Sequence, residues 1–149
     1  MSDAWEQLTP AGVRTLITEG STRTSVLGLL SFHRNGYVRH EALRLLAQSH
    51  DGSELPYLLI RQNDWVESIR ADARRAVQAR LDEGYLPDFV GNLPLVVHLL
   101  AFRRHDHADL VRQVIGMLVQ PEHDELLARA IRSQDRTVRR SVIRLALDL

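Results

Sequence analysis

The side chains best suited to chemistry stand in two short runs. Val38-Arg39-His40-Glu41-Ala42 sets an imidazole beside a carboxylate, and His105-Asp106-His107-Ala108-Asp109, with His98 shortly before it, gathers more of both. Histidine and carboxylate bind first-row transition metals, but a coordination shell fills only when several such groups converge from different elements. One His-Glu dyad cannot do this. In the second run, adjacent residues at a helix start point different ways and Asp106 is occupied as an N-cap. A capped loop is the reading, and no metal or other cofactor is expected. His33, His50 and His123 fall near helix ends, where solvation and partial charge suit them.

Missing residue types narrow the chemistry further. The chain has no cysteine, hence no disulfide framework, thiolate metal site or cysteine nucleophile. All 19 basic residues are arginine. Without lysine there is no Schiff-base chemistry and no Gly-Lys-Ser/Thr phosphate loop. Gly-x-Ser-x-Gly and His-Glu-x-x-His motifs are also absent, so no catalytic residue is nominated. Arginine's planar fork instead suits interfaces and anion contacts.

The elements that must position these residues are helices. With 149 residues, 44% hydrophobic and 26% charged, the composition is that of one soluble globular domain. No apolar stretch is long enough to span a bilayer. Residues 2–6 lack the basic start and apolar core of a secretory signal, so a cytoplasmic location is expected. Apolar residues recur at spacings of three and four, never in sustained alternation. Thr9-Pro10 caps a first helix. Others are predicted over 24–32, 37–48, 55–61, 64–83, 106–119, 124–132 and 136–149, with Pro87 and Pro94 splitting the region between. Net charge is zero, which argues against a nucleic-acid binder. It is unevenly spread: residues 82–125 hold eight acidic residues and three arginines, whereas 129–149 hold six arginines and two aspartates.

The second helices share a phrase. Val38-Arg39-His40-Glu41-Ala42-Leu43-Arg44 aligns with Ile69-Arg70-Ala71-Asp72-Ala73-Arg74-Arg75 and with Val138-Arg139-Arg140-Ser141-Val142-Ile143-Arg144, and Val111-Arg112-Gln113-Val114 begins a looser copy. The chain thus reads as an array of helix pairs that bury their faces against one another. It resembles HEAT repeats, whose second helix carries an aliphatic-Arg-x-x-Ala signature after an Asp- or Asn-containing turn; Asn35, Asp64, Asp106 and Asp135 supply those turn residues. The resemblance runs from about residue 24, closely in three units and loosely in the third of the four. It implies an all-α, right-handed α-solenoid of about four stacked antiparallel helix pairs plus an N-terminal helix. It also implies that Arg39, Arg70, Arg112 and Arg139 pair with turn aspartates of the same or the next unit.

Two enzyme families built on such repeats bear comparison. His40-Glu41 looks like the His-Glu helix of deoxyhypusine hydroxylase, which holds two irons with dyads from several repeats. The other copies here carry Ala71-Asp72, Gln113-Val114 and Arg140-Ser141, so that site is not expected and His40-Glu41 is read as a solvated pair. HEAT-like DNA glycosylases use exposed tryptophans and an acid, but Trp65, beside Asp64, is read as a staple between repeats.

Taking the aliphatic residue of the phrase as position zero, positions four and eight face the core, and positions two, three and six face outward. Arg44, Arg75 and Arg144 at position six then form a column along the concave side, with His40, Glu41 and Arg140 beside it. The expected function is a non-catalytic protein-interaction or scaffold module whose partner is an acidic protein segment. Alternatives are a nucleic-acid-binding HEAT-like domain and a docking or regulatory part of a larger enzyme. The apolar end at Asp148-Leu149 is expected to continue into further repeats or to be covered by another subunit.

Overall fold

The computed structural model describes residues 2–18, 23–102 and 106–147. Regular structure among these is helical, with no strand, so the chain is all-α. No helix among the described residues is long and apolar enough to cross a membrane. The chain divides into two compact units, Met1–Ala76 and Val77–Leu149.

The first unit holds α1 (Ser2–Glu6), α2 (Pro10–Thr18), α3 (Arg23–Leu30), α4 (Gly36–Leu46), α5 (Leu55–Arg61) and most of α6 (Glu67–Gln78). Thr9 Oγ1 accepts the Gly12 amide at 3.1 Å and Pro10 opens α2, the predicted cap. Helices α2, α3 and α4 pack on one another, and α4 packs on α5. Val13, Leu27, Val38, Leu43, Leu46 and Leu58 are buried there. Close approach of α3 and α5 depends on Gly28, because a Cβ at that position would lie 2.2–2.5 Å from three atoms of the Tyr57 ring. After α4 the chain reverses through Gly52, whose φ of 87° lies in the left-handed region that favours glycine.

The second unit continues through a 3₁₀ turn (Glu83–Tyr85) into α7 (Leu86–Gly91), α8 (Leu93–His98), α9 (Ala108–Leu118), α10 (Asp124–Ile131) and α11 (Arg136–Leu147). Pro87 and Pro94 each sit in the first turn of their helix, where a missing amide costs nothing. Helix α7 packs on α8, α9 and α10, and α11 packs on α8 and α10. Phe89, Leu93, Val96, Val114 and Val142 are buried within this unit.

Most boundaries fall near the expected ones. The helix expected over 64–83 instead ends at Gln78, because Asp82 accepts the Tyr85 amide and starts a separate turn. The last helix is described to Leu147; residues 148–149, like His105, lie outside the described residues. Position zero of the phrase is buried in all four copies, as Val38, Ile69, Val111 and Val138, and position four is buried as Ala42, Ala73 and Val142.

Candidate functional site

Counting back six residues from the arginine of each phrase exposes a recurrent turn. The residues found there, His33, Asp64, Asp106 and Ser133, each accept a side-chain hydrogen bond from the amide two positions on. The distances are 3.0 Å from Asn35 to His33 Nδ1, 2.9 Å from Val66, 2.8 Å from Ala108 and 3.1 Å from Asp135. In three copies the arginine then donates through Nη1 to the carbonyls six and five residues before it. Arg39 reaches His33 and Arg34 at 2.9 and 3.0 Å, Arg70 reaches Asp64 and Trp65 at 2.7 and 3.1 Å, and Arg139 reaches Ser133 and Gln134 at 2.5 and 3.2 Å. This clamp satisfies carbonyls that the turn would otherwise leave to water. Arg112 of the loose copy departs from it and pairs with Asp109.

The four turn residues named from sequence therefore belong to two registers. Asn35 and Asp135 stand directly before their helices and accept amides at 3.0 and 2.7 Å, whereas Asp64 and Asp106 stand two residues earlier. Only Asp64 is seen to pair with a phrase arginine of the preceding copy. Arg39 grips it with Nε and Nη2, at 3.0 and 3.1 Å, in a fork whose side chains are 4% and 2% exposed. Arg61 Nη1 adds a third bond at 2.9 Å. Burial alone pushes the Asp64 carboxyl up, but the Arg39 hydrogen bonds, the Val66 amide and the charges of Arg39 and Arg61 outweigh it and hold the group below the usual carboxylate range. Arg61 is shifted the other way for a cation: burial lowers it, against the pull of Asp64.

Aromatic rings cover this buried ion cluster. The Arg39 guanidinium lies 4.8 Å from the centre of Trp65 and that of Arg61 4.7 Å from Phe32. Trp65 does bridge two copies of the phrase, yet it does so by lying on an arginine, and it remains 65% exposed. His33 is not solvated as expected but fully buried. Its Nδ1 accepts the Asn35 amide, so Nε2 carries the proton and donates to the Trp5 carbonyl at 2.6 Å.

The His40-Glu41 pair also departs from its expected surface role. Glu41 is buried, its carboxylate 3.2 Å from Arg14 of α2 and 3.2 Å from Arg44. Position three lies only roughly 60° around the helix from position zero, at the flank of a wide apolar stripe. His40 is half-buried, with Nε2 2.7 Å from Asp72 of α6, and Asp72 in turn holds Arg75. Arg44 and Arg75 are exposed as expected, but each leans on a carboxylate three residues back in its own helix. They are partnered cations.

Arg140 and Arg144, on α11 in the second unit, are different. Both are exposed, and so are Arg129, Arg132 and Arg136. Among the described residues none of these five guanidinium groups has an ion-pair or hydrogen-bond partner. Asp135, which could neutralise Arg136, accepts at Oδ1 from the Thr137 hydroxyl and amide and the Val138 amide, which hold its carboxyl below the usual range. Ile131, Ile143 and Leu147 are exposed on the same two helices. Arg136 and the outlying α10 arginines were not picked out from the sequence. The signal was present, since residue 141, three before Arg144, is a serine where Arg44 and Arg75 have Glu41 and Asp72.

Of the candidate ligands around residue 105, Asp106 is tied to the Ala108 amide, His107 is buried and His98 packs edge-on against Phe102. No group of three or more His, Asp or Glu side chains placed to hold a metal ion occurs among the described residues. Comparison of the chain with protein-family models, with curated proteins and with solved structures finds no match.

Proposed function

We propose that the chain is a non-catalytic protein-interaction module of HEAT-like helix pairs stacked as an α-solenoid, and that its partner is acidic. The observation that carries the binding face is the set of exposed arginines on α11, Arg136, Arg140 and Arg144, whose guanidinium groups have no partner among the described residues, whereas Arg44 and Arg75, at the place in the phrase that Arg144 takes, pair within their own helices. The repeated arginine clamp supports the array: one local device recurs in three copies, as expected where each helix pair is a unit of the same design. A non-catalytic role is supported by Asp64, the most buried carboxylate bound to arginine, because both of its oxygens are committed to guanidinium or amide donors and neither is left for a substrate.

Nucleic acid is the second reading, favoured by the same arginines, since α11 carries four of them and no acidic residue among 136–147. Affinity capture from the source cell separates the two. The immobilised wild-type chain is compared with Arg44→Glu/Arg75→Glu and with Arg136→Glu/Arg140→Glu/Arg144→Glu, each with and without nuclease. Partners lost only from the α11 variant and retained after nuclease are the expected result. Loss on nuclease treatment transfers the role to nucleic acid, and equal capture by all three proteins overturns the α11 assignment.

A further inference from the structure

We infer that the partner segment seated on α11 is itself an amphipathic helix, with carboxylates spaced four residues apart and apolar residues beside them. The inference rests on the reading of α11 as the binding face. Arg136, Arg140 and Arg144 stand at intervals of four, which at a rise of 1.5 Å per residue places them about 6 Å apart along one side of a rigid helix. Glutamates at intervals of four on a second helix have the same period, so three pairs form in one register without unwinding either partner. Arginine's fork favours a paired carboxylate, and the ions on this face have no internal competitor among the described residues.

The apolar neighbours decide between occupants. Ile143 and Leu147 run beside the arginines, again four apart, and are 44% and 81% exposed. A helix with apolar residues next to its carboxylates covers both. A phosphodiester backbone supplies anions at regular spacing but nothing to bury those two side chains. An anionic membrane surface would need a broader apolar face, and the main apolar residues of α11, Val138 and Val142, are already buried within the second unit. Charge and apolar stripes side by side therefore match an acidic helix laid along α11.

The test uses fluorescence anisotropy of the full chain with three labelled probes: a helical peptide with glutamates at i, i+4 and i+8 flanked by leucines, a peptide of identical composition with those glutamates respaced off one face, and a short DNA duplex. The patterned peptide is expected to bind at least about tenfold more tightly than the respaced one. Arg136→Glu/Arg140→Glu/Arg144→Glu should abolish that difference, and the uncharged change Leu147→Ser should weaken the patterned peptide several-fold with a much smaller effect on the duplex; circular dichroism checks that both variants fold. Equal binding of the two peptides, no binding of either at millimolar concentration, or tighter binding of the duplex with a log-log salt slope of about 0.9 per neutralised phosphate overturns the inference. If cellular capture still depends on the α11 arginines while glutamate spacing proves irrelevant, the helix inference alone fails. If capture never depends on them, the reading beneath it fails as well.

Discussion

In the first unit Arg39 and Arg61 converge on Asp64 inside the protein, and Arg44 and Arg75 rest against Glu41 and Asp72 on the outside. In the second unit Arg139 makes the same carbonyl clamp as Arg39, but Arg129, Arg132, Arg136, Arg140 and Arg144 meet no carboxylate among the described residues. Arginine thus serves different tasks around Asp64 and on α11. A guanidinium ringed by a fork and two carbonyls is a structural part, whereas one without an anion nearby is held ready for an anion from outside. The contrast also explains how a chain of zero net charge can still present a cationic surface.

The contrast breaks most visibly at the two equivalent clamp arginines. Replacing Arg39 with leucine removes the fork on the buried Asp64 carboxylate, which keeps Arg61 and the Val66 amide, and frees the His33 and Arg34 carbonyls; it should cost about 3 kcal/mol, the low end for buried pairs that lose one partner. Adding Asp64→Asn should deepen that loss, since Arg61 then loses its counter-ion as well. Arg139→Leu removes only bonds to carbonyls from a half-buried side chain, and about 1 kcal/mol is expected. Urea denaturation of the variants orders them; equal losses at Arg39 and Arg139 would show that the Asp64 fork contributes nothing.

Two glycines set the same contrast in packing. Gly28→Ala drives a methyl into the Tyr57 ring and should destabilise by about 1–3 kcal/mol, with partial relief when Tyr57 is cut back to alanine. Gly116 of α9 has nothing within 4 Å of the place a Cβ would take, so Gly116→Ala should stabilise by about 0.5–1 kcal/mol through helix propensity. Thermal melts of the two single variants should move in opposite directions.

Acid should likewise act on the first unit more than the second. Asp64 is depressed in the folded state, so its contribution is complete above the unfolded carboxylate value of about 3.9 and drains away as pH falls through the lower folded value. Asp135 is depressed as well, by the Thr137 hydroxyl and amide, but it is fully exposed and its effect is screened by water and salt. The stability of wild type should fall between about pH 5 and pH 3, with a slope that Asp64→Asn flattens and Asp135→Asn leaves nearly unchanged.

How much of this was legible in the sequence depended on whether the decisive neighbour was local. Helical periodicity and the phrase located Val38, Ala42, Ile69, Ala73, Val138 and Val142 in the core because position within a helix fixes which way a side chain points. Loops resisted the same reasoning. Asp64 looks like the residue directly before a helix, and only its distance from Arg70 shows that it aligns with His33 rather than Asn35. Glu41 could not be seen as buried, because its covering partner Arg14 lies in another helix 27 residues away by subtraction (41 − 14). His40 and Asp72 likewise meet only through packing of α4 against α6. The free arginines of α11, by contrast, were open to inspection: a carboxylate three residues earlier marks Arg44, Arg75 and Arg112 as paired, and Arg144 has none. At position six of the phrase, the residue three places earlier separates Arg44 and Arg75, which are paired, from Arg144, which is not.

The smallest expected effect on stability is the sharpest test of that last point. Arg136 occupies the first helical position of α11, where the partial positive charge of the helix end already lies, and the first turn holds no acidic residue. A cation there is mildly unfavourable to the isolated helix, so Arg136→Glu should raise the melting temperature slightly, with the gain shrinking as salt screens the dipole. The same change removes one of three stripe charges and introduces repulsion toward an acidic partner, so binding of the patterned acidic peptide should fall at least severalfold. Opposite signs for stability and affinity at one exposed residue are what a binding surface produces when it is maintained against the preference of its own helix. If Arg136→Glu instead destabilises the fold and binding falls only in proportion to the unfolded fraction, the arginine is a structural element after all, and the division between partnered and available cations does not hold at α11.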